Sequence, residues 1–146
     1  MNIAIWGAGK NGKAIVDKLA EDIEVKIHCI IDYDIKKQGK KISDIPIVSK
    51  EKFARDYKEQ IDKVIISVAA EYFYVGIVDF LRDTGVYEVG FLKDGLDFSM
   101  EKIHWINANI PFFPHVEMHV MDSCNLKCKG CTHFSNLYSD YEIYTL

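Results

Sequence analysis

Two groups of residues in the 146-residue sequence have the types and spacing to do chemistry. Gly7, Gly9 and Gly12 read G-A-G-K-N-G, with Lys10 and Asn11 inside the loop, and Cys124, Cys128 and Cys131 read C-x3-C-x2-C. In a G-x-G-x-x-G loop between a strand and a helix, the first glycine makes the tight turn. The second lets backbone approach phosphates, and the third lets helix and strand pack closely. The helix N-terminus then offers free N–H groups and the positive end of a dipole to an anion, to which Lys10 can add a charge and Asn11 a hydrogen bond. Asp32 lies 20 residues after Gly12, at the end of the next apolar run, where a carboxylate suits ribose hydroxyls. Three thiolates gathered by one short loop can hold three irons of a 4Fe-4S cluster and leave the fourth iron open.

Each group also has a plainer explanation. The glycines can make a tight turn that binds nothing, with Asp32 a solvated loop acid. The cysteines can hold zinc if His119 or His133 completes a set of four, or they can be ordinary thiols. Cys29 stands alone in an apolar run and reads as core packing. His28, His104 and His115 have no spaced partners and read as ordinary strand residues.

The elements that must position these residues follow from periodicity. Asn2 to Trp6 is a short apolar run, as in a buried parallel strand, and after the glycine loop Ala14, Ile15, Val16 and Leu19 recur at helical spacing. Val25 to Ile31 is a second β-branched run ending at Asp32. Asp34 to Ser43 is lysine-rich and reads as a solvated loop, with a short edge strand around Pro46. Ser49 is placed to cap a helix running to Tyr57. Lys63 to Ala69 is a third strand. Glu71 to Thr84 reads as a helix with Phe73, Ile77, Phe80 and Leu81 facing inward, stopped by Gly85, and Tyr87 to Leu92 is a further strand. Alternating strands and helices predict a parallel sheet with helices on both faces, an α/β fold of Rossmann-like type over residues 1–95. Residues 96–146 are expected to hold two connecting strands and the start of a truncated partial (β/α) barrel carrying the cysteine loop at 124–131.

Composition sets the outer limits. Hydrophobic residues are 49% and charged residues 27%, which suits a packed globular chain rather than disorder. The net charge is −4 and the lysines form only a short cluster at Lys36, Lys37, Lys40 and Lys41, so a nucleic-acid partner is not expected. No apolar run approaches the roughly 18–20 residues of a membrane span, and no leader pattern opens the chain. A cytoplasmic location without membrane association is expected, and there a cysteine cluster reads as metal ligands rather than disulfides.

The stretch IIDYDIKKQGKKISDIPIVSKEKF resembles the N-terminal domains of sugar acetyltransferases and nucleotide-sugar dehydratases of bacterial glycan synthesis, over roughly Asn2 to Val68. That resemblance implies a nucleotide-sugar or NAD(P) at Gly7, Gly9, Lys10, Asn11, Gly12 and Asp32. No Tyr-x-x-x-Lys pair stands where a short-chain dehydrogenase needs its acid and base. The segment Val116 to Ser135 resembles the cluster loop of radical S-adenosylmethionine enzymes, which follows the first strand of a partial barrel. It implies that Cys124, Cys128 and Cys131 ligate a 4Fe-4S cluster whose open iron binds S-adenosylmethionine, and that an electron donor serves the cluster. The adenosyl radical so generated would abstract hydrogen from a substrate. One departure is Gly130, where that family commonly has an aromatic residue before the third cysteine.

Too few residues follow Cys131 for a barrel, so the chain reads as the N-terminal part of such a protein, inactive alone. A stand-alone nucleotide-binding module or an NAD-dependent dehydrogenase-like module, with an incidental cysteine tail, is the alternative. In a longer parent protein reconstituted without oxygen, Cys124→Ala, Cys128→Ala and Cys131→Ala should each lose most bound iron, and Cys29→Ala should keep it. Iron and sulfide analysis reads the difference, and unchanged iron in the Cys128 variant would refute the ligand assignment.

Overall fold

Four consecutive side chains of β1 (Asn2–Trp6), Ile3, Ala4, Ile5 and Trp6, are fully buried, and this strand forms the middle of a seven-stranded sheet. Alternate side chains of a strand point to opposite faces, so a run apolar at every position needs a cover on both. In the computed structural model, residues 1–20, 22–92 and 103–110 are described, all within a first compact unit, Met1–Pro114. The second unit, His115–Leu146, lies outside the described residues.

The elements follow in the order β1, α1 (Lys10–Leu19), β2 (Lys26–Ile31), β3 (Lys41–Ile42), β4 (Ile45–Val48), α2 (Lys50–Asp56), β5 (Lys63–Ile66), α3 (Tyr74–Asp83), β6 (Glu88–Leu92) and β7 (Ile103–Asn107). The strands lie side by side as β3-β4-β2-β1-β5-β6-β7. β1 pairs in parallel with both β2 and β5, so the chain runs outward from it first to one side and then to the other. On one face Ile3, Ile5, Ile30 and Ile65 pack with Ile15, Val16 and Leu19 of α1. On the other, Ala4, Trp6, Ile31 and Ile66 pack with Phe53 of α2 and with Ile77, Val78 and Leu81 of α3. The expected α/β architecture with helices on both faces is therefore present.

The sheet is mixed rather than wholly parallel. β3 pairs antiparallel with β4 through a two-residue turn in which Ser43 and Asp44 both take positive φ, 46° and 69°. That turn folds part of the expected loop back as a hairpin, so β3, not Ile45–Val48, forms this edge. At the other edge β7, expected among connecting strands, pairs antiparallel with β6 and extends the same sheet. Helix α1 starts at Lys10, ahead of the apolar periodicity. The Glu71–Phe73 stretch is a 3-10 turn that leaves Phe73 45% exposed, so the expected inward Phe73 is corrected. Cys29 is fully buried, and burial pushes its thiol up to about 12, as suits a core residue.

Phe53 is fully buried under β1, β2 and β5 and is the buried side chain of a two-turn helix. Phe53→Ala should cost about 3–5 kcal/mol through lost burial and the cavity left behind, measured by chemical denaturation. A loss below about 1 kcal/mol would mean that α2 is not anchored through this ring.

Candidate functional site

The carboxyl ends of β1, β2 and β5 meet around the glycine loop. Gly7 leaves β1 at a φ of +112°, its N–H donating to the Ile31 carbonyl at 2.7 Å. A Cβ there would come 2.8 Å from Ser67 Oγ, and a Cβ on Gly12 would overlap the Gly7 carbonyl oxygen. Both positions admit only glycine without rearrangement. Ser67, 6% exposed at the end of β5, holds the loop from the other side. Its hydroxyl lies 2.9 Å from both the Trp6 and the Gly7 carbonyl oxygens, and its N–H donates to Trp6. Gly9, by contrast, has nothing among the described residues within 4 Å of where its Cβ would be. The middle glycine alone faces open space.

Gly9 is also the N-cap of α1, and it offers no side-chain acceptor. The first intrahelical bond runs from the Lys13 N–H to the Gly9 carbonyl. Among the described residues no acceptor takes the N–H groups of Lys10, Asn11 or Gly12, and the first turn holds no acidic residue. Helix α2 is finished differently: Ser49 Oγ accepts from the Lys52 N–H, and Glu51 stands in its first turn. One helix start is closed by its own side chains, and the other presents bare donors beside a gap. Lys10 is exposed and Asn11 partly so, and neither has a side-chain partner among the described residues.

Asp32 comes to the loop as expected, but its oxygens are already engaged. Oδ2 accepts from the Ala8 N–H at 2.7 Å and from Lys37 Nζ at 3.2 Å, and Oδ1 from the Asp34 N–H at 2.8 Å. A carboxylate has about four lone-pair positions, so roughly one remains for a ligand. Burial pushes this carboxyl up, but the backbone bonds from Asp34 and Ala8, with the Lys37 ammonium, outweigh it and hold the group below its ordinary range. Asp32 therefore clasps the loop before it can contact anything else.

Beside the loop lies a cleft of about 590 Å³, lined by Tyr33, Lys50, Tyr72, Phe73 and Gly76. Trp6 packs edge-on against Tyr33 and Phe80, with ring centres 5.8 and 5.5 Å away. Burial, then the charge of Glu51, raises the Tyr33 pKa. Sequence reasoning missed Ser67, Lys50 and this cleft. The aromatic run Tyr72-Phe73-Tyr74, leading from β5 into α3, carries the signal, which a helix-face reading of Phe73 hides. Cys124, Cys128 and Cys131, with His119 and His133, lie outside the described residues. Among the described residues no three His, Cys, Asp or Glu side chains are grouped to hold a metal, and no helix is long and apolar enough to cross a membrane.

The sequence model of a family described as C2185-like, N-terminal, matches residues 1–89. No curated protein matches. Among solved structures, UDP-D-quinovosamine 4-dehydrogenase from Vibrio fischeri superposes with a TM-score of 0.63 at 22% identity, covering 74% of this chain and 94% of that one. RSP, a Rex-family repressor, superposes at 0.58 and 24% identity. The same repressor in complex with β-NADH gives 0.54 and 25%, over 70% of this chain and 50% of that one. The chain thus spans about half the length of the repressor. These likenesses establish a Rossmann-like fold.

The Asp32 clasp has a testable pH signature. Its folded pKa is lowered, so the stability it contributes is complete above the unfolded value and is lost as pH falls through the folded one. Asp32→Ala should cost about 2 kcal/mol at neutral pH, the scale of hydrogen bonds to a charged group, and the deficit should narrow below pH about 4. Urea unfolding of both proteins between pH 3 and 7 measures it; a deficit constant across that range would refute the charged clasp.

Proposed function

The chain belongs to the C2185-like N-terminal family, and we propose that its glycine loop binds the phosphates of a nucleotide, either a nicotinamide dinucleotide or a nucleotide-sugar. One observation carries this reading. Among the described residues, helix α1 begins with unaccepted N–H groups and no capping side chain, beside a glycine whose missing Cβ leaves open space. An anion there gains the N–H donors and the helix dipole together. Support also comes from the β-NADH complex of the Rex-family repressor, which shares the fold. In the bound state Gly9 would let phosphate oxygens approach the backbone, Lys10 would add charge, and Asn11 a hydrogen bond. Asp32 would offer its remaining lone pair to a ribose hydroxyl while keeping the loop in place.

A second reading extends the first. The C-x3-C-x2-C spacing of Cys124, Cys128 and Cys131 favours a 4Fe-4S cluster of the radical S-adenosylmethionine type in the full protein, with the N-terminal unit serving as its nucleotide-binding module. Bound there, the cluster would supply the electron that cleaves S-adenosylmethionine reductively. The three thiolates are the residues of this chain that would hold it.

Calorimetry with NAD(H) and with nucleotide diphosphates tests the first reading. The wild-type chain should bind at least one of them, and Gly9→Val should weaken that binding by more than about tenfold, because branched carbons would occupy the phosphate position. The unfolding transition of Gly9→Val should stay near that of wild type, since nothing lies within 4 Å of the new Cβ. Absence of binding by the wild-type chain would reduce the loop to a structural turn.

A further inference from the structure

The cleft beside the loop is built from residues that none of the chemistry above uses. Tyr33 follows Asp32 directly, Lys50 opens α2 after β4, Tyr72 and Phe73 follow β5, and Gly76 lies in α3. Its aromatic walls are solvated: Tyr33 is 55% exposed, Tyr72 78% and Phe73 45%. Three large rings gathered at the carboxyl end of a parallel sheet are a stacking surface for a flat ligand. Gly76 keeps the α3 wall free of a side chain, with nothing within 4 Å of a Cβ placed there. The volume, about 590 Å³, lies in the ordinary range of small-molecule sites.

Lys50 decides what kind of flat ligand fits. Its Nζ lies 5.7 Å from the Tyr33 ring centre and 5.5 Å from that of Phe80, close enough for both π faces to attract the cation. Among the described residues no carboxylate forms an ion pair with it, although its charge acts on the adjacent Glu51 and α2 also carries the Lys52–Asp56 and Arg55–Asp56 pairs. An ammonium has three donors and no acceptor. An edge that meets it must therefore present oxygen or ring-nitrogen lone pairs, and an exocyclic amino group there would set donor against donor.

We infer that this cleft seats a nucleobase with a carbonyl edge, of the uracil kind, with Lys50 donating to the base oxygen and the rings of Tyr33 and of the mutually packed Tyr72 and Phe73, their centres 4.1 Å apart, forming its aromatic walls. The inference rests on the glycine loop holding the phosphates of the same nucleotide. With the exocyclic position opposite the ribose turned to Lys50, it selects the uridine-type class over adenine- and cytosine-bearing nucleotides, because those two bases carry an amino group there and uracil an oxygen.

UDP and CDP differ in the base only along one edge, where uracil has O4 beside an N3–H donor and cytosine an amino group beside an N3 acceptor, so their ratio of dissociation constants reads which of these edges meets Lys50. Calorimetry on the wild-type chain should show UDP tighter than CDP by about tenfold or more, as when a donor is left facing a donor. Lys50→Met, which leaves the Ser49 cap in place, should bring that ratio within about threefold, and Tyr72→Ala should weaken both nucleotides alike. Equal binding of UDP and CDP, tighter CDP, or a Lys50→Met variant that weakens both equally would overturn the base assignment. Gly9→Val separates the two levels of the argument. If it abolishes binding while the ratio ignores Lys50, the loop holds phosphates and only the base assignment falls. If neither nucleotide binds to wild type, the phosphate reading falls first and the base assignment with it.

Discussion

The contact on which the rest of the structure depends is between the Gly7 carbonyl and the Cα of Gly12, which lie so close that no side-chain carbon fits between them. It joins the end of β1 to the first turn of α1 without an intervening layer. Helix and strand can then approach until Ile15, Val16 and Leu19 reach Ile3 and Ile5. The same closeness aims the helix start along the carboxyl edge of the sheet. A larger residue at either position would push the helix outward and take the packing with it.

Two neighbouring strands brace that contact from opposite sides. Asp32 at the end of β2 accepts from Ala8, and Ser67 at the end of β5 reaches the Trp6 and Gly7 carbonyls. They can do so because β2 and β5 flank β1 while the chain leaves β1 in opposite directions, which opens a crevice at its carboxyl end. Gly7, Asp32 and Ser67 direct most of their bonding capacity into the protein, while among the described residues the N–H groups of Lys10, Asn11 and Gly12 have no acceptor. The opposite face of the sheet, covered by α2 and α3, supplies Lys50 and the α3 wall of the aromatic cleft.

The two helix starts make the same distinction in energetic terms. Unsatisfied N–H groups at a helix start are ordinarily relieved by a side chain, and Ser49 relieves one of them in α2. At α1 a glycine stands in that place, which forgoes the cap and leaves water or a ligand as the acceptor. Lys50 is held by two ring faces and, among the described residues, forms no ion pair with a carboxylate.

Local chemistry made much of this legible before any coordinates. A glycine turn between an apolar run and an amphipathic helix is specified within a dozen residues, so β1, the loop, α1 and β2 could be read directly, as could the Ser49 cap. The cysteine spacing is likewise a property of the sequence alone, and so is the reading drawn from it. What the sequence could not determine depends on partners far along the chain. The Lys41–Val48 hairpin turns on Ser43 and Asp44 at positive φ, residues that do not announce such a turn as Asn-Gly would. β7 joins the sheet through pairing with β6, which periodicity does not specify. Phe73 stays at the surface because a 3-10 turn precedes α3 and shifts its face. Asp32 could be recognised as the acid at the end of β2, but only folding showed its oxygens claimed by Ala8, Asp34 and Lys37. Lys50 gained significance only when the ends of β2, β4 and β5 came together around it, because a cleft is formed by distances between strand ends and no single segment encodes them.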